Sequence, residues 1–201
     1  MKKLELTGII PATVLPMDKN YNIDENSLEN YIKWLLRYRI GGLAINVDTG
    51  EGPQLYPEER HRVLRIVSSI VKRKIPIIAG LPAGFTEQAV KLAIQAKDSG
   101  ADAVLVFPLA AFRGIKASEV VYNYYKTIGE RADIPLVAFQ LQPELGGVIF
   151  DEETLTKITQ VDQVVALKEA SFSAKVFTDT RRILEKAPRK ITLLTGNDNF
   201  I

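Results

Sequence analysis

The 201 residues include no cysteine, which excludes disulfides, thiolate nucleophiles and zinc–thiolate sites. Histidine occurs once, as His61, too few donors for a nitrogen- or sulfur-ligated transition metal. A carboxylate-only magnesium site can be drawn from Asp48, Glu51 and Asp198, yet nothing in their spacing selects for it. There is no Walker-type loop and no GxGxxG run, so nucleotide binding has no motif behind it. No apolar run approaches the roughly 18 residues of a membrane helix, and Met1-Lys2-Lys3-Leu4-Glu5-Leu6 lacks the apolar core of a signal peptide. Neither charge is in real excess: 26 Lys+Arg against 24 Asp+Glu give a formal net charge of +2. That even balance argues against nucleic acid or a membrane surface as partner. A soluble, cytoplasmic protein forming one domain over 1–201 is expected.

What is present is a repeat of structure. Hydrophobic residues make up 46% and charged residues 25%, a composition that can build a core and rules out disorder. Short β-branched apolar runs recur at Ile9–Leu15, Leu43–Val47, Ile75–Ala79, Ala103–Phe107, Leu136–Phe139, Val164–Leu167 and Ile191–Thr195. Their ends fall 28 or 32 residues apart. Consecutive apolar residues, rather than alternating ones, predict strands buried on both faces, as in a parallel sheet. Amphipathic helices fill the intervals: Val63, Ile66, Val67 and Ile70 share a face, as do Val121, Tyr124, Tyr125 and Ile128. Pro57-Glu58-Glu59 and Asp151-Glu152-Glu153 read as helix starts, and Gly100 as a C-terminal cap.

Seven strands with a helix after each of the first six give an α/β unit without a linker. A doubly wound sheet and a (β/α)₈ TIM barrel both fit such a list, and the steady period favours the barrel. On that reading about seven of eight βα units are present, and Ile201 reads as the end of a fragment rather than of a whole barrel.

In a parallel barrel the chemistry sits on loops after the strand C-termini. The polar residues there are Asp48-Thr49-Gly50-Glu51, Gln140, Lys168-Glu169 and Gly196-Asn197-Asp198. Lys168 follows Val164-Val165-Ala166-Leu167 directly, at the barrel mouth above an apolar floor. Partial desolvation disfavours ammonium, and the free amine attacks a carbonyl carbon. A lysine merely ion-paired to a neighbouring carboxylate fits the same position.

These segments resemble the dihydrodipicolinate synthase / N-acetylneuraminate lyase family of class I aldolases. Gly8-Ile9-Ile10-Pro11-Ala12-Thr13, with Pro16-Met17-Asp18, is similar to the family's opening strand. Asp48-Thr49-Gly50-Glu51, with Leu55 and Glu58-Glu59-Arg60, resembles its GTTGE…L…EER signature. Pro76-Ile77-Ile78-Ala79-Gly80 matches its third strand, Leu167-Lys168-Glu169-Ala170-Ser171 its lysine strand, and Thr195-Gly196-Asn197-Asp198 its SGDD-like turn. The resemblance implies a pyruvate-type 2-oxo acid bound as an imine on Lys168, with the substrate carboxylate held by Thr49 and by N–H groups around Thr49-Gly50. Phe139, Gln140 and Asn197 would also line the substrate. It further implies that no metal or organic cofactor is needed. Also implied are a homo-oligomer, dimer or tetramer, and a C-terminal helical region that these residues do not include.

Four departures matter. The family's Tyr-Asn-x-Pro motif is Phe139-Gln140-Leu141-Gln142-Pro143 here, and a phenyl ring has no proton to exchange. The arginine that often follows the motif is replaced at Leu145, and the usual tyrosine pair after the fourth strand by Leu109-Ala110. Asp48 stands where the signature's first threonine belongs. Together they argue against dihydrodipicolinate synthase activity itself. Two readings remain: a divergent lyase in which Asp48 takes over proton transfer, and a barrel that binds a 2-oxo acid without turning it over, Asp48 pairing with Lys168.

Other residues read more simply. His61 lies off its helix's apolar stripe and is expected to be exposed. Tyr31, Trp34 and Leu35 read as packing against the barrel, and Tyr122, Tyr124 and Tyr125 as core or subunit contact. Glu51 and Glu169 are expected to bind loop amides. Arg113 and Lys116 offer positive charge at the mouth.

Overall fold

Apolar runs become strands where their N–H groups are free to pair, and the run Ile9–Leu15, with Pro11 inside it and Pro16 directly after it, shows the limit. In the computed structural model, which describes residues 4–114 and 118–199, Ile9–Leu15 is not a ladder strand. It pairs at one parallel bridge, Ala12 with Ala44, and leaves Ile9 and Val14 exposed. Backbone bonds from the Gly41 N–H to Ile9 O, the Ala44 N–H to Pro11 O and the Thr13 N–H to Ala44 O still tie it to the next strand. Pro11, however, has no N–H to donate, so the first of the seven expected strands stays short of a ladder. Six strands follow: β1 Leu43–Ile45, β2 Ile77–Leu81, β3 Ala103–Val106, β4 Leu136–Leu141, β5 Val164–Ala170 and β6 Thr192–Thr195. β2 begins two residues later than the apolar run because Pro76 precedes it.

The strands form one parallel sheet in the order β1-β2-β3-β4-β5-β6. A doubly wound sheet reverses direction at a switch point; this one adds each new strand beside the last, as a barrel wall does. The helices between are α1 Glu25–Leu35, α2 Pro57–Val71, α3 Thr86–Asp98, α4 Ser118–Ala132, α5 Glu152–Ile158 and α6 Ala174–Glu185. Asp24 caps α1 by accepting from the Ser27 N–H, and Asp151 caps α5 by accepting from that of Thr154. Glu59 reaches back to the Tyr56 N–H at the start of α2, and Gly100 ends α3 at φ +98, a conformation open to glycine.

Burial falls into two layers. Leu6, Val47, Ile78, Ala103, Leu105, Val137, Phe139, Ala166 and Ala170 fill the concave side of the sheet. The larger layer, including Leu43, Val67, Val104, Tyr125, Leu136 and Leu167, lies between sheet and helices. All four residues of the Val121–Ile128 face are buried there. Trp34 is not: it is 46% exposed, stacked on Tyr31 and edge-on to Tyr38, so the expected packing against the barrel is corrected to an outward aromatic cluster. His61 is corrected in the opposite sense, since it is partly buried with Nδ1 2.6 Å from the Ser99 hydroxyl. No helix among the described residues is long and apolar enough to cross a membrane.

Candidate active site

Strand parity decides which side chains enter the barrel. On β5, Ala166 and Ala170 belong to the interior layer and Leu167 to the outer one, so Lys168 points inward and Glu169 outward. On β4 the same alternation turns Val137 and Phe139 in, and Ala138 and Gln140 out. Phe139 and Lys168 are in register across the pair, which brings the Lys168 Nζ 4.6 Å from the centre of the Phe139 ring. Phe107 stands edge-on behind that ring at 5.5 Å. On the other flank Gly196 makes room for the lysine stem: a Cβ there would come within 2.9 Å of the Lys168 Cε.

This apolar cradle has an electrostatic consequence. Burial pushes the Lys168 amine below its ordinary value of 10.5, and the Asp48 and Asp198 carboxylates partly hold it up. Asp48, exposed at the mouth, is pushed the other way, above the usual carboxylate value of 3.8, by partial desolvation of its carboxyl, with Lys168 opposing. Among the described residues no ion pair within 4.0 Å closes between Lys168 and either carboxylate. A base and an acid whose proton affinities converge, with a gap between them, can exchange a proton through a molecule placed there.

The segment carrying Asp48 is one turn of 3-10 helix, Asp48–Gly50, at the end of β1. Its hydrogen bonds are largely internal. The Gly50 N–H donates to Val47 O at 2.9 Å and that of Glu51 to Asp48 O at 3.1 Å, so the Gly50 N–H expected to hold a substrate carboxylate is already engaged. The exposed Thr49 hydroxyl donates to Thr13 O at 3.3 Å, a long bond that it can exchange for a better acceptor. Glu51 is exposed.

Two residues expected at the substrate have their side chains engaged elsewhere. Gln140 is fully buried on the helix side, donating to the Thr180 hydroxyl and accepting from the Phe150 N–H, each at 2.9 Å. Asn197 is also fully buried. Its amide donates to Glu169 Oε2 at 2.6 Å and to Glu169 O at 3.1 Å, while its Oδ1 accepts from the Phe172 N–H at 2.6 Å. Glu169, buried outright, accepts from the Ser171 N–H as well. Glu169 and Asn197 thus clasp the ends of β5 and β6 behind the lysine. For Gln140 strand parity was the signal, since the residue next to an inward Phe139 faces out; Asn197 lies beyond the end of β6, where parity gives none. At the rim, exposed Arg113 places Nη2 3.6 Å from where a Cβ of Gly146 would stand; Lys116 lies outside the described residues. Among the described residues no group of three or more His, Asp or Glu could hold a metal ion.

Residues 5–201 match the Dihydrodipicolinate synthetase family. The 4-hydroxy-tetrahydrodipicolinate synthase of Coxiella burnetii (strain Dugway 5J108-111) is 33% identical over 191 residues, 95% of this chain and 63% of that protein. That of Syntrophus aciditrophicus (strain SB) is 33% identical over 193 residues, 96% and 64%. Among solved structures, the chloride-inhibited dihydrodipicolinate synthase from Acinetobacter baumannii complexed with pyruvate superposes with a TM-score of 0.84 at 27% identity, over 96% of this chain and 64% of that one. N-acetylneuraminate lyase from Mycoplasma synoviae, at 21% identity and a TM-score of 0.78 over 94% and 62%, is similar in fold. The chain spans just under two thirds of the length of these relatives.

Proposed function

Because the chain belongs to the dihydrodipicolinate synthetase family, we propose that it acts as a class I aldolase-type lyase, with a pyruvate-type 2-oxo acid held as an imine on Lys168. The observation that carries this reading is the state of Lys168: an inward amine, lowered by burial and free of a closed ion pair. The uncharged amine attacks the carbonyl carbon, and the C–N bond forms as the carbonyl π electrons move to oxygen. Asp48, entering as the neutral acid that its raised pKa favours, protonates that oxygen. The carboxylate so formed takes one proton from the new C–NH2⁺ and passes it to the carbinolamine hydroxyl, which leaves as water, so the iminium forms opposite an Asp48 carboxylate. The resulting iminium accepts the electron pair of the neighbouring C–C or C–H bond as it breaks, giving an enamine. Phe139 shields the lysine from water but supplies no proton, so this reading gives Asp48 the acid–base work.

Thr49 receives the substrate carboxylate by turning its hydroxyl from Thr13. Arg113, beside Gly146 on the turn where the resemblance expects an arginine, supplies the rim cation for an acidic second substrate. With no arginine on that turn itself, the favoured substrate pair is not that of dihydrodipicolinate synthase. Assembly into a homo-oligomer belongs to the same reading. The second reading, a 2-oxo-acid binder without turnover, is favoured by one observation, the buried Phe139 in place of a hydroxyl.

Borohydride trapping with pyruvate and a panel of 2-oxo acids separates the two. A reduced adduct located on Lys168 by peptide mass spectrometry, and absent from Lys168→Ala, is the expected result. Folded protein that traps none of the acids leaves only the binder. Asp48→Asn then tests the proton route: adduct formation should slow by about 10²–10⁴-fold. If Asp48 were only a counter-ion, its removal would lower the lysine pKa further and speed the reaction at neutral pH instead.

A further inference from the structure

Behind the Asp48 turn, on the helix side of the sheet, two buried polar atoms lack a protein partner among the described residues: Asn46 Oδ1 and Arg60 Nε. Both residues line the same small, partly open void, with Leu64, Gly80, Leu92 and Ser99 among its other walls, between β2, α2 and α3. Asn46 is only 2% exposed, and its backbone stands in the left-handed region at φ +56, which asparagine tolerates better than most residues. Its amide cannot be turned to relieve the unpaired oxygen. The Asn46 Nδ2 donates to Arg60 O at 3.0 Å, and an oxygen in that position would face a carbonyl. Arg60 is equally committed at its other end, where Nη1 donates to Gly52 O at 3.1 Å.

We propose that this void is a built site for one ordered water, which accepts from Arg60 Nε, donates to Asn46 Oδ1, and so ties the Asp48 turn to α2. Size and chemistry both select the occupant. The void offers about 20 Å³ to the centre of a water molecule, where roughly 10–15 Å³ suffices for one. A cation would face the guanidinium and an anion the amide oxygen, whereas water satisfies a donor and an acceptor at once. The tether spans the loop in sequence, since Asn46 precedes Val47-Asp48-Thr49 and Gly52 follows it. Packing leaves no slack there: a Cβ on Gly52 or Gly80 would come within 1.7 or 2.0 Å of Asn46 O. This inference is independent of whether Lys168 forms an imine.

A crystal structure of the full chain, at a resolution that shows first-shell waters, tests it. Expected is a single peak within about 2.7–3.2 Å of both atoms, without anomalous signal. Arg60→Lys puts a methylene where Nε stood while keeping the charge. Oxygen-17 relaxation dispersion should then count one long-lived water fewer, with helix content unchanged. A dry or collapsed void in the wild type, an ion in the peak, or the same water retained in Arg60→Lys would each overturn the proposal.

Discussion

Lys168→Met should abolish borohydride trapping and lower turnover by on the order of 10⁴-fold or more, the scale on which loss of a covalent nucleophile is felt. The same substitution should make the protein more stable. Methionine fills the stem's place between Phe139 and Gly196 without a charge to desolvate, and a gain of about 0.5–2 kcal/mol near neutral pH is expected. The pH dependence follows from linkage. Burial holds the folded-state pKa of Lys168 below 10.5, so between the two values the unfolded chain keeps a proton that the folded chain has released. Wild-type stability therefore rises with pH across that window, and the advantage of the variant shrinks. Urea unfolding of both proteins at neutral pH and again near pH 10 reads this directly. A methionine variant less stable than wild type at neutral pH would show that Asp48 and Asp198 outweigh burial. The lysine would then be a structural cation, and the lyase reading would lose its main support.

The barrel period was legible because each strand is a continuous apolar run and each helix keeps its stripe, both consequences of a sheet covered on two faces. The exception was Ile9–Leu15. Its composition is that of a strand, but Pro11 removes a donor and Ile9 and Val14 are exposed, so hydropathy alone overstated it. The site was legible in one dimension only. Lys168 and Asp48 were found from their places after strands, which fix the end of the barrel but not the face. Gln140 and Asn197 sit at the same end, yet their side chains serve the helix side and the β5–β6 clasp. The alternation of interior and exterior residues along β4 and β5 carries the missing information. It becomes usable only once one inward residue is known. The rest was beyond the sequence. Neither the raised pKa of Asp48 nor the approach of Arg113 to the Gly146 turn follows from spacing, because each depends on how neighbouring loops fold over the mouth.

The Glu169–Asn197 clasp predicts the largest loss of stability. Asn197→Asp is nearly isosteric but sets a second carboxylate against Glu169 Oε2, where the amide now donates at 2.6 Å, and against Glu169 O as well. With both residues fully buried, the lost donor and the added charge should cost about 3–5 kcal/mol at neutral pH. Two carboxylates so close cannot both ionise, so one folded-state pKa is raised above its unfolded value. The folded state then binds more protons than the unfolded one, and stability falls as pH rises through the raised pKa; acidification should recover much of it. Lys168 lies one residue from the clasp, so trapping by the variant should weaken over the same pH range. Adding Glu169→Gln returns a donor to the pair in reversed order, since glutamine can still accept from the Ser171 N–H and donate to the new carboxylate. The double variant should therefore be markedly more stable than Asn197→Asp alone, a coupling that a double-mutant cycle by urea unfolding reads directly. Additive losses in that cycle would mean that the two side chains do not act through each other. The position of Lys168 would then rest on Phe139 and Gly196 alone.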